Sequence, residues 1–100
     1  MRVITGTARG RVLRTLEGED VRPTTDRVKE AIFSMIQFET EGRRVLDLFA
    51  GSGQLGIEAL SRGAAYATFT DMSAESVDIV KKNLLMTHLE KNSEVLRTEA

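Results

Sequence analysis

The chain has 100 residues, 41% of them hydrophobic and 29% charged, with a formal net charge of -1; a soluble globular domain is expected, not a disordered segment. It contains no cysteine and a single histidine, His88, which excludes disulfides, thiol chemistry and a cysteine zinc site, and leaves no basis for a conventional metal centre or a serine-type triad. No apolar run approaches the roughly 18 residues of a membrane span and Arg2 is not followed by a secretory segment, so no membrane partner and a cytoplasmic location are expected.

Charge is uneven along the chain. Residues 1–29 carry seven Lys or Arg against four Asp or Glu, and residues 30–100 seven against eleven. Within residues 2–16 the apolar pairs Val3-Ile4 and Val12-Leu13 alternate with Gly6, Gly10 and arginines, which predicts two short strands around a turn. Arg2, Arg9, Arg11 and Arg14 all precede the first acid, Glu17, so this basic β-rich arm is a candidate phosphate contact, with ordinary solvated charge as its alternative. Residues 16–20 read as a turn. Arg22 to Asp26 reads as a linker in which Pro23 fixes its own φ and Thr25 or Asp26 caps the next helix.

That helix is predicted over 27–38, with Val28, Ala31, Ile32, Met35 and Ile36 forming an apolar stripe directed at a sheet, widened by Phe33 and Phe38. Val45 to Phe49 is nearly continuous in apolar character and predicts a central parallel strand covered on both faces. A helix from about Gln54 to Arg62 follows, stopped by Gly63. Tyr66 to Thr70 predicts the next strand, and Ser73 caps a helix from Ala74 to about Met86. Glu94 to Arg97 is a third strand candidate. Parallel strands joined by right-handed helical crossovers put the loops after the strands on one edge of the sheet, which would gather Asp47, the glycine loop, Asp71 and Glu99. The fold class is therefore α/β, a partial Rossmann-like parallel sheet with an N-terminal β-rich arm: 1–25 the arm, 26–100 the first half of a cofactor-binding domain. Each crossover takes about 30 residues, so the sheet is expected to be truncated.

Gly51 to Gly56 obeys G-x-G-x-x-G between a strand and a helix, with Asp71 twenty residues beyond Gly51. This combination predicts an adenosine-containing ligand, the glycines allowing a tight turn and close ligand approach and the acid accepting ribose hydroxyls. The spacing alone fits NAD or FAD as well. Asp47 helps to choose between them: a carboxylate inside a buried strand needs a use, either orienting loop amides or receiving a cationic amine. S-adenosylmethionine carries an ammonium and a sulfonium, whereas a dinucleotide pyrophosphate would be repelled, so the methyl donor is favoured over an NAD-dependent oxidoreductase. Ser52, Ser61 and Ser73 read as turn or cap residues, Lys81 and Lys82 as a solvated helix face, and His88 as a surface histidine.

Three segments together resemble a known family: Val45 to Gly56 with Glu58 to Ala64, Arg2 to Arg11, and Arg22 to Phe33 look like the RsmD-type 16S rRNA guanine-N2 methyltransferases. The resemblance covers nearly the whole chain and implies a class I methyltransferase fold, S-adenosylmethionine as cofactor, and 16S ribosomal RNA or the assembling small subunit as partner. It implies cofactor contacts at Asp47, Phe49, Ala50, Gly51, Ser52, Gly53, Gly56, Asp71, Met72 and Glu99. It also fits RNA contacts at Arg2, Arg9, Arg11, Arg14, Arg22 and Arg27. Asp71 stands where Glu is common in the family. The family's Asn/Asp-Pro-Pro-Tyr/Phe motif is missing because Pro23 is the only proline, so the chain is expected to be a fragment whose catalytic residues lie beyond Ala100 and which does not transfer methyl groups alone. The competing expectation is a nucleic-acid interaction module with a vestigial cofactor loop.

Overall fold

A computed structural model describes residues 2–15, 26–48 and 50–98. Its elements run α1 (Asp26–Met35), β1 (Arg44–Asp47), α2 (Gln54–Ser61), β2 (Tyr66–Asp71), α3 (Ala74–Thr87), a 3-10 turn (Glu90–Asn92) and β3 (Ser93–Arg97). The three strands form one parallel sheet in the order β1-β2-β3, with Asp47 opposite Phe69 and Asp71 opposite Arg97. Because all strands point one way, Asp47 and Asp71, the last residues of β1 and β2, finish at the same edge.

Moving twice in one direction with right-handed crossovers places α2 and α3 on one face of the sheet. Phe69 marks that face: it is fully buried, and its ring lies against Gly53 and Gly56 at the start of α2, while Gly53 also meets Val80 of α3. Ile57, Leu60, Ala67, Val80 and Leu84 complete this layer. Burying a ring such as Phe69 contributes roughly 2–3 kcal/mol. Leu46, Thr68, Glu94 and Leu96 lie on the opposite face, where Leu46 and Leu96 are exposed and Thr68 donates to Glu94 at 3.0 Å. Ser73 caps α3 as expected, its side chain accepting from the Ser76 N–H, and His88 ends that helix in a left-handed conformation at φ 60.

Two expectations are corrected. β1 is an edge strand of the described sheet, and its Leu46 is exposed, as is Leu48 just beyond it, so it is covered on one face only. The first helix ends at Met35, followed by turns through residue 39, and it turns a different face inward from the one its apolar stripe suggested. Met35 is 85% and Phe38 92% exposed, and Val28 and Ile32 are exposed too, whereas Phe33 is buried, Ile36 packs against the core and Lys29 is completely buried. The inward row is thus Lys29, Phe33 and Ile36, at the four- and three-residue spacing of one helix face. The physical reason is polar. The Lys29 ammonium sits 3.4 Å from the fully buried Glu58 carboxylate and donates to the Arg2 carbonyl at 2.7 Å, a pairing that fixes the rotation of α1. The Arg62 guanidinium stacks 4.7 Å from the centre of the Phe33 ring on the same side.

The N-terminal segment forms a hairpin with a single Arg2–Val12 bridge, the Val3 N–H donating to Arg11 and the Gly10 N–H to Val3, both at 2.9 Å. Val3, Ala8 and Leu13 enter the core, so the arm is part of the folded layer. Gly6, at φ 94, lets the turn lie directly on the last turn of α2: a Cβ there would come 1.8 Å from the Ser61 carbonyl oxygen.

Candidate functional site

The loop from β1 to α2 starts beyond Asp47 and is tied to β2 by the Ala50 N–H, which donates to Thr70 at 2.8 Å. Gly51 and Gly53 both hold left-handed angles, φ 60 and φ 81, which an L side chain adopts only with strain. The Gly53 N–H closes the turn onto the Ala50 carbonyl at 2.8 Å. A Cβ on Gly51 would meet nothing within 4 Å, so the loop's outer surface borders open space, whereas a Cβ on Gly56 would come 2.4 Å from the Phe69 ring. The three glycines therefore do separate jobs: an open approach at Gly51, a turn at Gly53 and tight helix-to-sheet packing at Gly56. α2 begins on Gly53 with no side-chain cap, and of its first-turn amides that of Gly56 is taken by the Asp47 carboxylate.

Each of the two carboxylates at the sheet edge holds one glycine of this loop. Asp47 Oδ2 accepts from the Gly56 N–H at 3.1 Å. Asp71 Oδ2 accepts from the Gly51 N–H at 3.1 Å, and its Oδ1 from the Ser73 N–H at 2.9 Å. Of the two uses considered for Asp47, orienting a loop amide is observed. Burial pushes the Asp47 carboxyl up to about 6; the Gly56 N–H opposes that shift, and the negative Asp71 adds to it. A cation placed near the pair would relieve both the desolvation and the repulsion. Beside it, Asp47 and Gly56 also border an apolar groove of about 210 Å³ walled by Ile32, Phe33, Ile36, Val45, Leu55 and Ala59.

Of the other residues expected at the cofactor, Ala50 and Ser52 lie in the loop, Ser52 buried and Ala50 partly so, and Met72 follows Asp71 and is exposed. Phe49 and Glu99 lie outside the described residues, as does Arg22 of the expected RNA contacts. Arg2, Arg9, Arg11, Arg14 and Arg27 are exposed. His88, Lys81 and Lys82 are exposed as expected, with Lys82 paired to Asp78 at 3.0 Å. Among the described residues no carboxylate and histidine cluster could hold a metal ion, and no helix is long and apolar enough to cross a membrane.

Besides Lys29, buried polar residues that tie the arm to the body escaped the sequence reading, Glu58, Ser61 and Asn83. Glu58 accepts from the Ile4 and Thr5 N–H groups at 2.8 and 3.1 Å and from Arg62 Nε at 2.8 Å, besides facing Lys29. Ser61, read as a turn or cap residue, instead pins the arm: its Oγ donates to the Thr5 carbonyl at 2.6 Å and accepts from the Ala8 N–H at 2.9 Å. Asn83 joins the arm to the loop, as described below. The sequence held one usable signal, a charged Glu58 at the inward position between Ile57 and Ala59, but no partner for it could be read locally.

Comparison with known proteins bears on the family and the fold. YlbH of Bacillus subtilis (strain 168), provisionally named as an rRNA methyltransferase, is 51% identical over 100 residues, covering 100% of this chain and 54% of YlbH. The ribosomal RNA small subunit methyltransferase D of Haemophilus influenzae is 46% identical over 84 residues, 84% of this chain and 44% of the relative. A solved structure of yhhF from Escherichia coli, provisionally described as a methyltransferase, superposes with a TM-score of 0.86 at 39% identity over 98% of this chain and 52% of its own. The same fold recurs, at 20% identity and a TM-score of 0.71, in a SAM-dependent methyltransferase from Thiobacillus denitrificans in complex with S-adenosyl-L-homocysteine. The chain spans about half the length of the curated relatives it matches. Its whole length, residues 1–100, fits the family model described as Conserved hypothetical protein 95, and the chain belongs to that family, the RsmD family of methyltransferases.

Proposed function

We propose that the full-length protein transfers a methyl group from S-adenosylmethionine to the exocyclic N2 amine of a guanine in 16S ribosomal RNA, in the cytoplasm and on the naked RNA or the assembling small subunit. The observation that carries this reading is the pair of strand-end carboxylates, Asp47 and Asp71, each holding a glycine amide of a loop whose Gly51 faces open space. Named relatives that act on ribosomal RNA of the small subunit supply the substrate class.

The residues fit the cofactor. Gly51 leaves the outer side of the loop open, with nothing within 4 Å of where a Cβ would stand. Asp71, with lone pairs left on both oxygens, is suited to accept ribose hydroxyls, and Asp47 to face the ammonium of the methionine moiety, its carboxyl held ready by burial to gain from a cation. Ala50, Ser52, Gly53, Gly56 and Met72, with Phe49 and Glu99, make up the rest of the assigned site. When bound, S-adenosylmethionine supplies an electrophilic methyl group on a sulfonium that leaves as a neutral thioether. Asp47, Asp71 and the glycine loop hold and orient it, so their contribution is alignment.

The target amine is positioned by residues of the full-length protein beyond these 100, which also take its proton; the 100-residue chain alone then has no methyl transfer activity. Residues 1–25 serve as the RNA-facing arm and 26–100 as the first half of the cofactor domain. Arg2, Arg9, Arg11, Arg14, Arg22 and Arg27 supply phosphate contacts around an RNA base that must leave its stack to be reached. The test is mass spectrometry of nucleosides after incubating the full-length protein with S-adenosylmethionine and unmodified 16S ribosomal RNA or small subunits. N2-methylguanosine at one site is expected; no RNA methylation, or a methyl group on another base or atom, would overturn the assignment.

A further inference from the structure

Four residues of the body hold the backbone of the arm: Lys29 on α1, Glu58 and Ser61 on α2, and Asn83 on α3. Only Asn83 among them also hydrogen-bonds to the glycine loop, among the described residues. Its carboxamide is completely buried and works on two fronts. Toward the arm it behaves like a neighbouring strand residue, Oδ1 accepting from the Arg14 N–H at 2.8 Å and Nδ2 donating to the Arg14 carbonyl at 3.0 Å. The remaining Nδ2 hydrogen goes to the Ser52 carbonyl at 2.9 Å, in the loop between Gly51 and Gly53. Both donor hydrogens are thereby used, one on each side.

Asn83 itself is held from behind. It lies within α3, flanked by buried Leu84, and its main-chain carbonyl accepts from the Thr87 hydroxyl at 2.8 Å. The carboxamide carried on this backbone is bonded on both sides, so a shift of the Arg14 peptide bears directly on its bond to Ser52. Arg14 is placed to transmit such a shift, because its peptide is gripped by Asn83 while its side chain is exposed, bordering a groove with Glu75, Asp78 and Lys82 of α3.

We infer that Asn83 is a positioning residue that couples the seating of the basic arm to the shape of the cofactor loop, so that RNA on the arm and S-adenosylmethionine in the loop strengthen each other's binding. The inference rests on the function proposed above for those two regions. Coupling of this kind is reciprocal, so it is readable from the cofactor side without RNA.

Two measurements on the full-length protein test it, with S-adenosylhomocysteine as the probe. In the unsubstituted protein the probe is expected to slow amide hydrogen exchange at Ile4, Thr5 and Arg14; binding of the probe with exchange unchanged at these amides would overturn the coupling and leave the cofactor assignment standing. In a double-mutant cycle, Ser61→Ala, which loosens the arm at the far end of α2, is expected to weaken the probe about fivefold when Asn83 is present and not at all in the Asn83→Ala background. An equal effect in both backgrounds would show that Ser61 acts through α2 alone and contradict the role of Asn83. If Asn83→Ala does not fold, the exchange experiment decides by itself. Failure of the unsubstituted protein to bind the probe would overturn the cofactor assignment, and the coupling with it.

Discussion

At its C-terminal end α2 places Glu58, Ser61 and Arg62 in a closed polar network with the arm and α1, whereas at its N-terminal end it starts on Gly53 with no side-chain cap and an adjoining Gly51 that faces open space. At one end the protein meets its own buried polar needs. At the other it keeps a carboxyl pushed up to about 6 beside a second acid. Eight residues of helix thus separate a joint whose polar groups are mutually satisfied from a sheet edge where a buried carboxyl stands near a second acid.

Breaking the closed end should have the largest effect. Glu58→Ala strands Lys29 as an uncompensated buried ammonium and leaves the Ile4 and Thr5 N–H groups without their acceptor; a loss of about 3–5 kcal/mol is expected, read as a lower denaturant midpoint. Gly56→Ala comes next, because its Cβ would fall 2.4 Å from a fully buried ring; overpacking of this kind costs up to about 3 kcal/mol and would move the loop.

The open end should respond with opposite signs to pH. Asp47 has a folded pKa of about 6 against an ordinary carboxyl value of 3.8, so the folded state retains the proton longer than the unfolded chain. Its contribution to stability is therefore fully present below 3.8 and lost as pH rises toward 6. Asp47→Asn is expected to remove that slope and raise stability at neutral pH by about 1–2 kcal/mol, allowing for solvent screening, as measured by unfolding at several pH values. Affinity for a cationic ligand should show the reverse trend, increasing as Asp47 ionises. The smallest expected stability change is for Gly51→Ala, roughly 1 kcal/mol for its left-handed angle, yet ligand affinity should fall about tenfold or more because the new Cβ projects into the open space proposed for the ligand. A large stability loss with intact binding would erase the contrast between the two ends.

The open end was legible in the sequence and the closed end was not, for a physical reason. Val45 to Asp47, the three glycines and Asp71 carry their meaning in local spacing, so strand, loop, helix and strand were read in the right order. Ser61 and Asn83 take their partners in the arm from residues 53 to 69 positions away, and nothing in their immediate neighbours distinguishes such an anchor from a surface polar residue. Lys29 misled the reading of α1 for the same reason. Periodicity assigns lysine to solvent, so Met35 and Phe38 were expected in the core, and only the distant Glu58 reverses that assignment. The single-sided cover of β1 was likewise hidden, since an apolar run states that burial is favourable and not what provides it.

The most direct test of the whole account is calorimetric titration of the full-length protein with S-adenosylhomocysteine, repeated for Asp71→Ala. One site per chain, weakened at least about tenfold by the substitution, is the predicted result. Undiminished affinity in the variant, or no binding by the unsubstituted protein, would contradict the placement of the cofactor at the carboxyl edge of this sheet.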